Sequence, residues 1–556
     1  MAFLVSPGVQ VNEIDLTNVV PATSASIGAI SGSFQWGPAD QIVTVGSEQQ
    51  LVENFGQPDN DTFSTVLSAA QFLSYGNSLR VVRKVGASAR NATTSGTGVL
   101  VTNDDTAAAI TFGAADWVVA KYPGVVGNSI GISICPADAA AFAAWPVNGS
   151  FNSAPDTSDA ATAVGGSLDE LHVVVYDTTG SITGVVDTVL ETYAYVSQGS
   201  DAKGADGATN YWADVINAQS AWVRITGAQP DLSNSGDTLA GTTFDVTITG
   251  GAALDTLSGG VSDNSLTTGE RLLGYDMFAD ADTVEVSLLM HGNVATLVDS
   301  TTISNALIAM AEARKDCVAF VSPPMDANTK DKVVAWRNTL TSSSYAFADS
   351  SALYVYDKYD DKYRWISASS SMAGLSANAD EVADPWFSPA GFTRGNVRNV
   401  TKLAFNPDQA ARDDMYKLGI NPVVSFPGQG TVLWGDKTLQ NKPSAFDRIN
   451  VRRLFITLEK AVSAASKASL FEFNDEFTRA QFRNMVEPFL RDIKGRRGIT
   501  DFKVVCDDTN NTGDIVDTNR FVADIYIKPA RSINYITLNF IATRTGVQFS
   551  EIAGGN

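Results

Sequence analysis

Cysteine and histidine are nearly missing from this chain of 556 residues. The three cysteines, Cys135, Cys317 and Cys506, are odd in number and far apart, with no metal-ligand spacing between them. They read as buried thiols in a reducing cytoplasm. The two histidines, His172 in LHVVVY and His291 after VEVSLLM, sit in or beside apolar runs and read as structural residues. So little imidazole removes most general-base and zinc chemistries. No apolar run approaches the ~20 residues needed to cross a bilayer. The N-terminal MAFLVSPGVQVNEIDL has no basic stretch followed by an apolar one, so no secretory signal is expected. Positive charge is also scarce: 39 Lys and Arg stand against 61 Asp and Glu, a net charge of −22. That balance argues against a nucleic-acid surface, because phosphates need cations.

Two stretches have the composition of a ligand loop but not its context. GQGTVLWG, at 428–435, lacks a following helix and the Lys-Ser/Thr of a phosphate loop, so it reads as a tight turn. Asp357, Asp360 and Asp361 lack the glycine and terminal glutamate of a calcium loop, and they read as an exposed hairpin. No Ser-His-Asp or Cys-His pairing stands in a stretch resembling a nucleophile loop.

The patterning that is present divides the chain. Residues 1–20 form an extended arm in which Val9, Val11, Ile14 and Leu16 alternate roughly with polar residues, and Pro7-Gly8 prevents a helix. Residues 21–86 read as strand, helix, strand, with Ser47 capping a short helix and Phe63, Val66, Leu67, Ala70 and Leu73 forming a helical stripe. From 89 to 264 the composition shifts to Thr, Ser, Gly, Ala and Asp. Nineteen acids face four bases there, a net charge of −15. Strand patterns at 116–121, 130–134, 171–176, 222–226 and 244–249 are separated by glycine turns, and 137–166 reads as a loop. Alternating strands and helices return at 265–432, as expected of an α/β layer with a partly parallel sheet. Strands are expected at 502–506, 521–527 and 533–540; in the last, Ile536, Leu538 and Phe540 share a face.

The stretch 428–498 organises the rest. Ile449, Val451, Leu454, Phe455, Leu458, Ala461 and Val462 fall at helical spacing, and so do Phe482, Met485, Val486, Phe489, Leu490 and Ile493. Asn474 is expected to cap the second helix, and Gly495 and Gly498 to end it. Within 474–500 six bases face four acids, and the excess gathers at the end, where Arg491, Lys494, Arg496 and Arg497 stand against Asp492. Two readings are open: cations favoured by the helix dipole, or a surface for an acidic partner.

FPGQGTVLWGDKTLQ, INVRRLFITLEKAV and FEFNDEFTRAQFRNMVEPFLRDI resemble the C-terminal core of contractile tail sheath proteins of myovirus-type bacteriophages. PGVQVNEIDLT, FLSYGNSLRVVRKV, NYWADVIN and FSPAGFTRGNV resemble other blocks of that family, in the same order along the chain. The resemblance implies a structural subunit, not an enzyme, that polymerises as a helical cylinder around the tail tube. Contraction of that cylinder drives the tube through the host envelope for genome delivery. It implies no cofactor, nucleic acid or membrane insertion. The implied partners are further copies of the chain, the tail tube protein, and baseplate and tail terminator proteins. The place is the virion tail, with assembly in the host cytoplasm.

The expected architecture is a multidomain α/β and α+β protein. An arm (1–20) completes a C-terminal α+β assembly domain (435–556) that faces the tube. An α/β middle domain is made of 21–88 and 265–434, and a β-rich acidic outer domain (89–264) is inserted in it. The resemblance places strand exchange between subunits at Val9, Val11, Ile14 and Leu16 and at Ile533, Ile536, Leu538 and Phe540. It also turns the basic helix inward, which makes Arg479, Arg483, Arg491, Lys494, Arg496 and Arg497 candidate tube contacts. The alternative class is an α/β enzyme, such as a hydrolase, with a β-rich accessory domain; that reading requires a pocket with convergent polar groups.

Overall fold

The computed structural model describes residues 25–113, 115–226 and 253–534. The largest sheet has seven strands, in the order Ile420–Asn421, Ala346–Asp349, Val318–Val321, Leu288–Met290, Gly28–Gly32, Leu79–Arg83 and Ile42–Val45. Neighbours run parallel except the last pair, where Ile42–Val45 is antiparallel to Leu79–Arg83. Parallel pairing demands crossovers, so both faces are covered, and the strands are apolar on both sides. Val81, Leu288, Val318 and Phe320 face one core with Val66 and Phe72 of helix Phe63–Leu73. Val82, Leu289, Ala319 and Val321 face the other, with Ile303, Leu307 and Ile308 of helix Leu297–Arg314 and with Trp336. Gly28 lets Phe72 lie on the sheet; a Cβ there would come within 2.6 Å of the ring.

Helix Ser369–Val382 also lies in the first core, and up to Ala377 every residue of it is buried. Its serines 369, 370, 371 and 376 are as buried as Met372 and Leu375. Arg453 of helix Ile449–Ser466 clamps it, donating to the Asp380 carboxylate and to the Ser376 carbonyl at 3.1 Å. Burial pushes the Asp380 carboxyl up to about 6, against the pull of Arg453.

Between Arg83 and Leu288 the chain builds a second β structure. An antiparallel sheet runs in the order Thr188–Ser197, Glu170–Asp177, Ile130–Pro136 and Ala253–Thr256, beside a pair formed by Val118–Ala120 and Val223–Ile225. Ile132, Ile134, Val173, Val175, Trp212 and Ile216 give it a core of its own. The strand expected at 244–249 lies outside the described residues. The stretch read as a loop at 137–166 holds two short helices, Ala139–Ala144 and Asp159–Val164, capped by the Asp138 and Ser158 side chains. His172 is structural here: its ring stacks on Phe151 at 4.2 Å, and its Nδ1 accepts the Tyr195 N–H.

The chain forms two compact units: one holds Pro21–Pro385 and Pro389–Ala464, the other Trp386–Ser388 and the residues from Ala465 onward. The second therefore starts later than the boundary at 435 expected from the sequence. The reason is burial: Leu439, Ile449 and Ile456 all lie in the cores of the main sheet. In the second unit, helix Glu476–Gly495 lies against an antiparallel pair, Ile499–Val505 with Asp524–Pro529.

Candidate assembly surfaces

The helix Glu476–Gly495 buries Phe482, Val486, Leu490 and Ile493, one stripe of the expected set. Its N-cap is Asp475, whose carboxylate accepts the Thr478 N–H at 2.8 Å, and that bond holds the Asp475 carboxyl below the usual range. The expected cap, Asn474, is used otherwise. Its amide donates to the Arg520 carbonyl and its oxygen accepts from Arg479 Nε, each at 2.7 Å.

That use of Asn474 removes Arg479 from the tube-contact set. Arg479 is 6% exposed, and its guanidinium is spent on Asn474 and on an ion pair with Asp508. Arg483 is half-buried and donates to the Cys506 carbonyl. Both long cations face the sheet of their own unit because helical spacing puts them beside the apolar stripe. Arg491, Lys494, Arg496 and Arg497 are exposed. Lys494 pairs with Asp501 at 3.0 Å, and Arg496 lies over the Trp386 ring while its carbonyl accepts the indole N–H.

The helix ends differently from the expectation. Gly498 N–H donates to the Ile493 carbonyl and Arg497 N–H to that of Lys494, a Schellman closure. The left-handed position of that motif usually holds glycine, but here it holds Arg497, at φ 67°. A side chain in that conformation costs about 1 kcal/mol. Gly498, which follows, allows close approach to Ile493 and Trp386.

Among the described residues, each strand of the pair Ile499–Val505 and Asp524–Pro529 has one partner, so both outer edges are open. Of the strand-exchange candidates only Ile533 is described, and it is 82% exposed. Val9, Val11, Ile14, Leu16, Ile536, Leu538 and Phe540 lie outside the described residues.

The other sequence candidates resolve into structural roles. GQGTVLWG forms the tip of the hairpin Val423–Phe426 with Gly430–Leu433, where Gly428 and Gly430 take positive φ. Asp357 is buried against Arg364 Nε at 2.9 Å. At the carboxyl ends of the parallel strands, where open α/β sheets hold ligands, Ser322 and Asp349 share a hydrogen bond and Ser369 N–H donates to Ser322 Oγ. All three are buried. Desolvation pushes Asp349 up to about 7 and His291, in the same region of the sheet, down to about 4.

The described residues thus give a layered α/β body and, in the other unit, a strand pair with no further strand among them and an exposed cationic helix end. Three family models match in sequence order: the Tail sheath protein Gp18 domain III N-terminal region at 26–83, the Phage tail sheath protein central domain at 279–439 and the Phage tail sheath C-terminal domain at 441–543. The tail sheath protein of Vibrio phage KVP40 is 34% identical over 99% of this chain and 100% of its own length. That of Enterobacteria phage T4 is 34% identical over 99% of each. The fold is that of the anti-feeding prophage helical sheath solved in its contracted state, with a TM-score of 0.52 at 13% identity over 98% of this chain and 100% of that one. The chain belongs to the tail sheath proteins of contractile-tailed bacteriophages.

Proposed function

We propose that this chain is the repeating subunit of a sheath that stacks as rings in a helix around the tail tube and contracts to drive the tube through the host envelope. Further copies, the tube protein, the baseplate and the tail terminator are its partners. Neighbouring copies are linked by strands from 1–20 and 533–540, which add to the open edges of Ile499–Val505 and Asp524–Pro529 by β-augmentation. Contraction draws on metastability: tube contacts hold the extended array, and the contracted array buries more surface between subunits. No nucleotide enters this cycle. The acidic inserted block lies outermost.

The observation that carries this reading is the cationic end of helix Glu476–Gly495 in a chain of net charge −22. Arg491, Lys494, Arg496 and Arg497 hold the extended sheath on an acidic tube surface. Exposed ion pairs contribute only ~0.2–1 kcal/mol each, which suits a grip made by many copies and released together. The test is the triple reversal Lys494→Glu, Arg496→Glu, Arg497→Glu. Sheaths that assemble contracted, or fail to load on tubes, support the contact if the circular dichroism of the subunit is unchanged. Extended sheaths with unaltered salt resistance sink it.

A further inference from the structure

The loop between the last two long helices is aromatic, exposed and strained. Phe473 is 84% exposed, Phe477 75%, and Phe471 is fully exposed. Phe471 also takes φ 71°, a conformation rare for a bulky side chain. Neither strain nor exposure of such rings is compensated within the described residues, and exposed aromatic clusters mark sites where a partner docks. The loop is acidic as well: Glu472, Asp475 and Glu476 lie among the rings, and no base occurs from 470 to 478.

The other compact unit carries a surface of opposite character. Two adjoining clefts of ≈ 630 Å³ and ≈ 380 Å³ share Asn396 and Val397. Leu73 and Val400, half-buried, supply an apolar patch backed by the buried Leu67, Val355 and Val397. Lys358, Arg394 and Arg398 are the charged lining, against one acid, Glu48. A cleft of this size takes one or two aromatic side chains.

We infer that the phenylalanine loop of one copy docks in this cleft on the next copy of the same chain, a contact that rests on the sheath reading. The rings meet the apolar patch of Leu73 and Val400 in a cleft of otherwise mixed lining, and three carboxylates meet a lining with two more cations than acids. Knob and cleft are different patches of one chain, so the contact is head-to-tail; such contacts propagate as open helical arrays instead of closing as dimers. It is a contact between folded surfaces and needs no strand exchange.

The test pairs two full-length variants, each with one added thiol: Glu472→Cys in the loop and, on a size-tagged chain, Thr401→Cys in the cleft. Cys135, Cys317 and Cys506 are buried, so a short bismaleimide joins these added thiols between copies. Val185→Cys, on the exposed surface of the inserted block, replaces Thr401→Cys as the control. Preferential linkage of Glu472→Cys to Thr401→Cys is expected. In parallel, Phe471→Ser with Phe473→Ser raises the critical concentration for tube formation by about tenfold or more, as loss of anchor aromatics does. Tubes without preferential linkage overturn the contact and leave the sheath reading intact. Preferential linkage between the two cysteine variants, alongside a wild-type chain that never forms tubes, upholds the contact and overturns the sheath reading.

Discussion

The guanidinium of Arg83, at the end of a central strand, donates to the carbonyl of Pro123 in the inserted block at 2.6 Å. The same group donates to the carbonyls of Phe34, Gln35 and Gly37. Burial pushes it down to about 9, which still leaves it charged at neutral pH. Beside it, Trp36 stacks on Trp222 of the block at 5.3 Å. One cation and one indole therefore fix the base of the insertion to the main sheet.

Replacing Arg83 with Met orphans the carbonyls of Phe34, Gly37 and Pro123, whose bonds to it are buried. The expected loss is about 3 kcal/mol in denaturant unfolding, with new protease cleavage near Pro123. Arg83→Lys does not restore it, since an ammonium cannot reproduce a planar fork of donors. Wild-type stability in either variant would contradict this role.

Arg497→Gly separates stability from grip. Glycine adopts the left-handed position at no steric cost, so the unit gains about 1 kcal/mol, read as a higher melting temperature. The same change removes one exposed cation per subunit, so extended sheaths contract at lower salt than wild type. A gain in stability with unchanged salt resistance would take Arg497 out of the tube contact.

Asp349 gives the fold a pH signature of known sign. Its folded pKa of about 7 lies above the unfolded value near 3.8. Its contribution to stability is therefore full below pH 4 and is lost as pH rises through 7. His291, depressed to about 4, works in the opposite sense over part of the same range, so the effect is read as a difference between proteins. From pH 4 to 8, wild type loses on the order of 3 kcal/mol relative to Asp349→Asn. Parallel stability curves for the two would show that Asp349 ionises freely in the fold.

Deleting residues 1–20, or ending the chain before Ile533, leaves a soluble subunit that forms no tubes. The open edges of Ile499–Val505 and Asp524–Pro529 then lack the strands that cover them. Electron microscopy of either truncation decides the point, and normal tubes would exclude strand exchange as the link.

Much of the architecture was legible because its signals are local. Helix Phe63–Leu73 and the strands Gly28–Gly32, Ile42–Val45 and Leu79–Arg83 follow from apolar spacing, and the Ser47 cap follows from residue type. Helix Ser369–Val382 was illegible. Its serines are buried with its apolar residues, so it has no stripe to read. At the basic helix, sequence placed the cations but not their depth. Arg479 was drawn inward by Asn474 and Asp508, and Asp508 lies on the far side of a strand. Arg497 took the glycine position because Gly495 is the last residue of the helix itself, so the left-handed position of the closure falls two residues later. The docking loop was present in the sequence as LFEFNDEF, but only the structure shows that its rings are uncovered.

The order of strands in the main sheet has a consequence for synthesis of the chain. An inner strand, Gly28–Gly32, is translated early, while the edge strand Ile420–Asn421 comes almost four hundred residues later. At roughly 5–20 residues per second, the sheet waits about twenty seconds or more for its last member. The strand pair with open edges and the cationic helix end are translated later still. The ribosome thus withholds the strand pair that receives an arm until the body that carries it is able to close, and an arm that emerges early finds no such pair on the nascent chains beside it.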